Sequence, residues 1–236
     1  MEGSGSQLAV KVTVIVVNYN GAQVLGDCVR SIVAQDYPAD HVEIIVADNG
    51  SRDGSAELPE LSTPRVRLLR FDENLGFAEA NNRAIRASQS AWVALVNSDA
   101  VLAPGWLSAL VNALRAEPQA GAAACQTLQA FDRSKLDAAG FAFFSCCSCD
   151  SWTGRSPESL DSATHRPFGP VASAALYRRS ALEDVGLFHS EYFCYYEDTD
   201  LAVRLVLHGY STVYVHAAVA YHRGSHTGVK SSDFHV

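Results

Sequence analysis

The sequence predicts an α/β protein with a mostly parallel central sheet flanked by helices. Over the first 115 residues, four strand-like segments are interspersed with three helix-like segments, which is typical of helices packed on both faces of such a sheet. Residues 92–96 form an unbroken apolar run, as expected of a strand buried on both faces. Several of the predicted strands end in polar residues, and ligands bind at that edge of open α/β sheets.

Hydrophobic spacing predicts each element in turn. The first half contains strands at 11–17, 42–47, 66–70 and 92–96, and helices at 22–35, 77–88 and 104–116. The second half is less regular, with strands at 121–125, 171–177, 212–215 and 219–221, and helices at 181–185 and 199–208. Residues 130–168 are rich in Gly, Ser, Pro and Cys and predict a long excursion, a kind of segment that is often functional.

Composition favours a soluble globular enzyme. Apolar residues make up 48% of the chain and charged residues 19%, and the formal net charge is −8. This acidic balance argues against a nucleic-acid partner. An anionic ligand would need a divalent cation or backbone N–H donors. No apolar stretch is long enough for a transmembrane helix, and the polar first residues do not resemble a signal peptide.

The six cysteines include a cluster formed by Cys146, Cys147 and Cys149. The cluster lacks the second cysteine pair that zinc sites usually have. Free thiols in a reducing cytosol are therefore favoured over a metal site.

Polar residues follow three of the predicted strands. Asn18, Tyr19 and Asn20 end the first strand, Asp48 and Asn49 end the second, and 97–99 end the fourth. Parallel strands bring these ends to one rim, where a nucleotide would bind. Asp48 is either an acceptor for the ring N–H of uracil or thymine, or part of an ordinary turn. The chain has neither a G-x-G-x-x-G dinucleotide fingerprint nor a P-loop, so we expect acids, amides and a metal to hold the nucleotide.

Asp99 is the candidate metal ligand, because Mg²⁺ and Mn²⁺ prefer carboxylate and phosphate oxygens. One carboxylate is a sparse site, and histidine suits Mn²⁺. His216, His222 and His226 are candidates for the second ligand, although a lone histidine is more often an ordinary surface or core residue.

Glu197, Asp198 and Asp200 cluster at the start of a predicted helix, directly after Tyr195 and Tyr196. Acids in a first turn are stabilised by the helix dipole, by about 0.3–1 kcal/mol each. The alternative is that one of them is a general base that takes the proton of an attacking hydroxyl. Three acids beside aromatic residues exceed what capping requires.

Taken in order, these segments resemble the family-2 glycosyltransferases of GT-A fold, especially the rhamnosyltransferase-like branch. The resemblance covers roughly residues 11–226. The matching segments are VIVVNYN at 14–20, VADNGSRDG at 46–54, NLGFAEANN at 74–82, LVNSDA at 95–100, YYEDTDL at 195–201 and YHRGS at 221–225.

The resemblance implies sugar transfer from a nucleoside diphosphate sugar, a dTDP- or UDP-sugar such as dTDP-rhamnose, with inversion. It matches Asp198 to the catalytic base, next to Glu197, and Asp99 and His222 to the ligands of Mn²⁺ or Mg²⁺. We assign the acceptor side to Trp152 and His165, from their place in the excursion. The predicted donor-binding residues are Val17, Tyr19, Asn20, Asp48, Asn49, Gly76, Asn82, Asn97 and Ser98.

The predicted organisation is a single GT-A domain at 11–236, after a flexible N-terminal tail or cloning remnant at 1–10. Its nucleotide-binding half is 11–115, and 116–236 forms the acceptor and catalytic half, with a smaller irregular acceptor-side region. We expect a glycan or lipid-linked glycan acceptor in cell-surface glycan synthesis, and a cytoplasmic location at the inner face of the membrane.

The chain departs from the family pattern in three ways. Asn97 stands where the metal motif usually has a first aspartate, which removes one charge. The Q-x-x-R-W motif of processive synthases is absent from the sequence. The family's extra C-terminal helices are also absent, so we expect peripheral membrane association to depend on a region outside this chain. A nucleotidyltransferase is disfavoured, because residues 18–21 lack the Gly- and Arg-rich loop of that class. The alternative to a glycosyltransferase is a degenerate nucleotide-sugar or glycan binding module without transferase activity.

Overall fold

The structure is a computed structural model that describes residues 9–143, 149–160 and 164–224, with only the backbone of Cys149. Cys146, Cys147 and His226 lie outside the described residues, as do residues 1–8 of the predicted tail. The predictions made for them therefore stay predictions.

Eleven strands and five α-helices make up the described part of the chain. The helices are α1 (Leu25–Val33), α2 (Gly76–Ala87), α3 (Trp106–Ala116), α4 (Arg179–Asp184) and α5 (Glu197–Leu207). The strands are β1 (Val12–Asn18), β2 (Val42–Asp48), β3 (Val66–Arg70), β4 (Trp92–Asn97), β5 (Ala100–Leu102), β6 (Ala120–Gln129), β7 (Leu136–Ala138), β8 (Ala142–Phe143), β9 (Cys149–Asp150), β10 (Ala174–Arg178) and β11 (Ser211–His222).

The central sheet has the order β3-β2-β1-β4-β10-β6-β11-β5, with β7 also paired to β6. The first four strands are parallel, and β10 runs antiparallel to both β4 and β6. The predicted mostly parallel, helix-flanked sheet is therefore confirmed. Because β10 is reversed, its beginning lies at the same rim as the end of β4, which matters for the site below.

The sheet is covered by helices on both faces. Alternate residues of β1 point to opposite sides, as a strand requires. Val14 and Val16 pack with α1 and α3 around the fully buried Trp106, whereas Ile15 packs with α2, α4 and α5. Every residue of 92–96 is buried, as the apolar run predicts.

Most predicted elements are present, with shifted ends. The first helix begins at Leu25 rather than at residue 22, because residues 22–24 form a turn. The two strands predicted at 212–215 and 219–221 are one strand, β11, with an irregularity between Val215 and Val219. The excursion at 130–168 contains short strands that the sequence pattern does not show. No helix among the described residues is both long and apolar enough to cross a membrane.

Candidate active site

The polar ends of β1, β2 and β4 meet at one rim of the sheet. β1 lies between the other two, and the register places Asn18 opposite Asp48 and Val17 opposite Asn97. The loops that follow these strands therefore begin at the same rim, as predicted from the sequence.

The loops after β1 and β2 are joined by hydrogen bonds, most of which involve the buried Asn18 or Ser55. The amide nitrogen Nδ2 of Asn18 lies 3.1 Å from Asp48 Oδ1, 3.1 Å from Ser51 Oγ and 2.9 Å from Ser55 Oγ. Asp53 accepts from the backbone N–H of Ala22 at 2.8 Å and from Ser55. We call Asn18, Asp48, Ser51, Asp53 and Ser55 the loop network.

The predicted donor residues of this rim differ in exposure. Tyr19 and Asn20 are exposed and Val17 is half-buried, whereas Asp48 is only 2% exposed. Asn20 has a positive φ of 52° and accepts from the backbone N–H of Arg52. Tyr19 and Asn20 are thus open to a ligand, while the carboxylate of Asp48 contacts Asn18.

Asn49 is buried and holds the turn that begins α2. It donates to Asn74 Oδ1 at 2.8 Å and to the carbonyl of Gly76 at 3.1 Å, and it accepts from the N–H of Leu75. Gly76 has φ +78°, and a Cβ there would lie 2.4 Å from the carbonyl oxygen of Phe193. Only glycine fits this close approach.

Asn82 contacts the segment before α5 and does not face an open rim. Its Nδ2 donates to the carbonyl of Phe188 at 2.8 Å, and its Oδ1 accepts from the N–H of the same residue at 3.0 Å. Phe77 N–H also donates to the carbonyl of Phe193. In this structure Asn82 therefore positions the chain that leads to Glu197.

His222 and Asp99 meet at the end of β4, although 122 residues separate them in the sequence. His222 Nε2 lies 3.1 Å from Asp99 Oδ1 and 3.2 Å from Asn97 Nδ2. Its other ring nitrogen, Nδ1, lies 2.9 Å from Asp137 Oδ2. Ser98 and Asp99 are both buried. By contrast, His216 is exposed at the irregularity in β11, six residues earlier.

The charge on His222 follows from these neighbours. Burial alone would lower the pKa of the ring, but hydrogen bonds to Asp137 and Asp99, together with their negative charges, raise that pKa to about 10. Two carboxylates that contact one imidazole favour a positive charge on it or beside it, and a proton or a cation at Nε2 supplies that charge.

The acidic cluster at the start of α5 separates into different roles. Asp200 forms an ion pair with Arg204, at 2.6 Å, one helical turn later. Asp198 Oδ2 accepts from the backbone N–H of Ala172 at 3.1 Å, and Oδ1 accepts from the N–H of Thr199. Glu197 is buried, and its Oε2 has no hydrogen-bond partner among the described residues.

Burial shifts both acids toward their protonated forms. It is the main cause that raises the pKa of Glu197 to about 7, and the charge of Asp198 adds to the shift. Burial also raises the pKa of Asp198, against the opposing effect of its backbone hydrogen bonds. A carboxylate with a raised pKa is a stronger base than an exposed one.

Asp198 and the end of β4 are connected through the beginning of β10. Ala172 N–H binds Asp198, and the carbonyl of the next residue, Ser173, accepts from the N–H of Asn97 at 2.9 Å. Two successive residues thus hold the acid of α5 beside the 97–99 segment. This connection depends on the antiparallel direction of β10.

Strained backbone lies directly before Glu197. Tyr195 and Tyr196 have φ angles of 72° and 69°, which non-glycine residues rarely adopt. Both side chains are exposed, as are Tyr192 and Phe193. Backbone strain of this kind is frequent at functional sites.

Trp152 and His165 pack against one another. Their rings meet edge to face, with centroids 4.5 Å apart, and His165 makes the same kind of contact with Tyr214 at 4.7 Å. His165 Nε2 also lies 2.8 Å from the carbonyl oxygen of Ala139. These contacts give both side chains a packing role, and their predicted contact with an acceptor stays a prediction.

The donor atoms at the rim fit a divalent cation that is shared with a ligand. Two neighbouring ligands of an octahedral ion at about 2.1 Å lie about 3 Å apart, close to the observed distance between His222 Nε2 and Asp99 Oδ1. Within 9–143, 149–160 and 164–224, no three His, Cys, Asp or Glu residues form a metal-holding group. A cation here would therefore need further oxygens, such as those of a diphosphate.

The sequence profile of "Glycosyl transferase family 2" matches residues 13–186. The chain belongs to this family. A curated relative, the "N-acetylglucosaminyl-diphospho-decaprenol L-rhamnosyltransferase" of Mycobacterium tuberculosis (strain CDC 1551 / Oshkosh), is 31% identical over 220 residues, which cover 83% of this chain and 71% of the relative. An "N-acetylglucosaminyltransferase" of Mesorhizobium japonicum is 33% identical, over 89% of this chain and 50% of that protein. The resemblance to rhamnosyltransferase-like members of the family is thus confirmed.

Solved structures show the same fold. A mannosyltransferase from Pyrobaculum calidifontis, in complex with GDP-Man and Mn²⁺, superposes with a TM-score of 0.69 at 23% identity, over 94% of this chain. GalNAc-T7 with UDP, GalNAc and Mn²⁺ gives 0.73 at 14% identity, over 91% of this chain. This chain spans 59% and 44% of those two proteins. The GT-A fold is therefore established, and both neighbours were solved with Mn²⁺.

Sequence reasoning placed Asn18 at the rim but did not name it as a site residue, and it missed Asp137 and residues 172–173. Asn18 is the centre of the loop network, Asp137 contacts His222, and residues 172–173 connect Asp198 to Asn97. Asn18 stands at a predicted strand end, so the sequence indicates its place but not its hydrogen-bond partners. Asp137 carries no local signal in the sequence.

Proposed function

We propose that this chain is a metal-dependent inverting glycosyltransferase that uses a UDP- or dTDP-sugar, with dTDP-rhamnose as a candidate donor. The supporting observation is the juxtaposition at one rim of a carboxylate–histidine pair and a second, buried carboxylate, Asp198, held beside it through Ala172 and Ser173. Family membership supports sugar transfer. The mycobacterial relative supports rhamnose as the sugar and a lipid-linked glycan as the acceptor.

In this proposal the exposed side chains of Tyr19 and Asn20 border the nucleoside. The carbonyl and amide groups of Val17, Asn97 and Ser98 line the crevice toward the diphosphate. Asp48, Asn49, Gly76 and Asn82 shape the crevice from behind, because their polar groups contact other parts of the protein.

Asp99 and His222 would hold Mn²⁺ or Mg²⁺ together with oxygens of the donor. When bound, the cation stabilises the negative charge that grows on the leaving diphosphate. It also offsets repulsion between the donor and nearby acids: two like charges ~4 Å apart interact by about 4 kcal/mol at an effective dielectric of ~20.

Asp198 is the proposed general base. The acceptor oxygen forms a bond to the anomeric carbon while the bond from that carbon to the diphosphate oxygen breaks, and the hydroxyl proton moves to the Asp198 carboxylate. A single displacement of this kind inverts the anomeric centre and needs no covalent intermediate. Glu197, which is protonated below about pH 7, limits the negative charge beside the base.

The acceptor site belongs to the second half of the chain in this proposal. The exposed aromatic side chains at 192–196 lie directly before Asp198, and Trp152 and His165 remain predicted contacts. A lipid-linked acceptor would bring the chain to the cytoplasmic face of a membrane.

The Asp198→Asn variant tests the base. A panel of UDP- and dTDP-sugars with Mn²⁺ is first screened by thermal shift and donor hydrolysis to find the donor. D198N should then lower transfer by about 10²–10⁴-fold, because general-base catalysis contributes that much, with little change in donor affinity measured by calorimetry.

Asp200→Asn is the matched control, because it removes the same charge from the same helix, at a residue paired with Arg204. We expect its kcat to stay within a few-fold of the parent. Near-normal turnover by D198N would refute the assignment of the base. Donor binding without any metal-dependent release of nucleoside diphosphate would favour a binding module.

A further inference from the structure

Asp137 lies on the side of His222 that faces away from Asp99. Its Oδ2 is 2.9 Å from His222 Nδ1, whereas Asp99 Oδ1 is 3.1 Å from Nε2. The two aspartates therefore contact opposite edges of the same imidazole. The side chain of His222 is 13% exposed and that of Asp137 is 25% exposed, so this contact is partly shielded from water.

Strand register brings Asp137 to His222. Leu128 of β6 lies opposite Leu136 of β7 on one side and opposite Tyr221 of β11 on the other. Asp137 and His222 are the next residues of their strands, and they extend toward one another across β6. Asp137 lies at an irregularity in the pairing of β7 with β6, between Leu136 and Ala138, which are both paired. The carbonyl of Asp137 also accepts from Thr153 Oγ1 at 2.7 Å.

We propose that Asp137 is a positioning residue that holds the His222 ring with Nε2 directed at the cation site of the donor. The proposal rests on the proposed function above. Asp137 accepts the Nδ1–H hydrogen bond, which fixes the tautomer and leaves the Nε2 lone pair beside Asp99. Carboxylates that contact a metal-ligating histidine in this way orient the ring and raise its basicity.

The arrangement has a purely structural alternative. The same three side chains could form an ion-paired bridge that joins β7, β11 and the end of β4 and that binds nothing. Removing Asp137 would then lower thermal stability and leave Mn²⁺ binding unchanged. The positioning role predicts a change in metal binding and in the ligation of His222.

The Asp137→Ala variant distinguishes the two roles. Mn²⁺ is titrated in the presence of saturating UDP or dTDP, and free Mn²⁺ is followed by electron paramagnetic resonance. We expect D137A to bind Mn²⁺ about 10–100-fold more weakly, which is the usual effect of removing such a partner. Electron spin echo modulation from the imidazole ¹⁴N should be present in the parent and lost or strongly reduced in D137A.

Asp132→Ala is the matched control. It removes the same charge five residues earlier, from an exposed side chain that contacts Ser134 and Lys135. Its Mn²⁺ affinity and ¹⁴N signal should match the parent. Asp137→Asn keeps an acceptor oxygen but not the charge, so it should retain the ¹⁴N signal and lose less affinity than D137A. If D137A does not fold, D137N replaces it in the test. The positioning role then requires D137N to bind Mn²⁺ at least about 3-fold more weakly than D132A.

Asp99→Ala and His222→Ala complete the test, and both should weaken Mn²⁺ binding. Unchanged affinity and ¹⁴N signal in D137A overturn the inference and leave the proposed transferase standing. An absence of Mn²⁺ binding by the parent with both nucleotides, or a parent ¹⁴N signal that survives in H222A, also overturns it. If Mn²⁺ binding depends on Asp137 but no sugar is transferred, the proposed function is contradicted and the inference about Asp137 stands.

Discussion

Two polar regions lie on the same rim: one is centred on a neutral amide, and the other on groups whose pKa values are raised. In the loop network, the amide nitrogen of Asn18 contacts oxygens of Asp48, Ser51 and Ser55, whereas the buried Asn18 Oδ1 has no hydrogen-bond partner among the described residues. At the other end, His222 lies between two carboxylates, and Glu197 keeps a buried oxygen without a partner among the described residues. We call Asp99, His222, Glu197 and Asp198 the acidic rim.

In the proposed function, the loop network serves binding and the acidic rim serves chemistry. The hydrogen bonds of Asn18 Nδ2 join the loops after β1 and β2, which suits a preformed wall of a ligand pocket. Groups with shifted pKa values and strained backbone cluster where charge must be moved. The shifted pKa values of His222 and Glu197 and the left-handed Tyr195 and Tyr196 all belong to the second kind.

Gly76 lies between Asn49, which follows Asp48, and Phe193, in the segment before Glu197, and replacing Gly76 should have the largest effect on stability. In Gly76→Ala, Cβ would lie 2.4 Å from the carbonyl oxygen of Phe193, at a residue with φ +78°. Left-handed strain costs about 1–2 kcal/mol and forced contact about 1–3 kcal/mol more, so we expect a total loss of about 2–5 kcal/mol. Chemical denaturation measures it.

Gly54→Ala separates strain from contact. Gly54 has nearly the same φ, +82°, and a Cβ there would meet nothing within 4 Å. It should lose only the strain energy, about 1–2 kcal/mol. Equal losses of unfolding free energy in both variants would mean that the close approach of Phe193 to Gly76 adds nothing to the cost of the substitution.

Glu197→Gln examines the acidic rim through pH. The folded-state pKa of Glu197 is about 7, above its ordinary value near 4.5, so the folded protein binds this proton more tightly than the unfolded chain. Relative to E197Q, stability of the parent should therefore fall as pH rises from about 4.5 through 7, by about 3 kcal/mol. E197Q lacks this loss, and its melting temperature should exceed that of the parent most clearly at pH 8.

Other ionisable groups interact with Glu197 and remain in this variant: Asp198, Tyr177, Cys194 and Tyr195. Glu191→Gln is the control, because Glu191 is exposed in the preceding segment. Its pH dependence of stability should match the parent. A parent whose stability relative to E197Q does not change between pH 5 and pH 8 would show that Glu197 has an ordinary pKa.

The regular parts of the fold were predictable, because buried strands and amphipathic helices leave a periodic record in the sequence. The end of β4 at Asn97, one residue beyond the predicted end, and the exact agreement for β3 illustrate this. The convergence of β1, β2 and β4 also followed, because parallel strands share a rim. The resemblance added the pairing of Asp99 with His222, which no local pattern indicates.

The rest depends on long-range register. Asp137 reaches His222 only because β7 and β11 pair with the same residues of β6, and β7 is three residues long, too short to show a period. Asn82 looks like a ligand-binding residue in the sequence, but its amide pairs with the backbone of Phe188, 106 residues away. Side-chain roles of this kind follow from tertiary packing.

Asn18→Ala examines the loop network and should have the smallest effect of these changes. It removes the donor that serves buried oxygens of Asp48, Ser51 and Ser55, and unsatisfied buried groups cost about 1–3 kcal/mol. Calorimetric melting measures the loss, with the exposed Asn112→Ala in α3 as the control, within about 0.5 kcal/mol of the parent. Because Asn18 carries no charge and is not among the groups that shift the pKa of Glu197, that pKa should not move in N18A. A shift of that pKa would mean that the loop network influences the charge of Glu197, so that the two regions of the rim act as one electrostatic site.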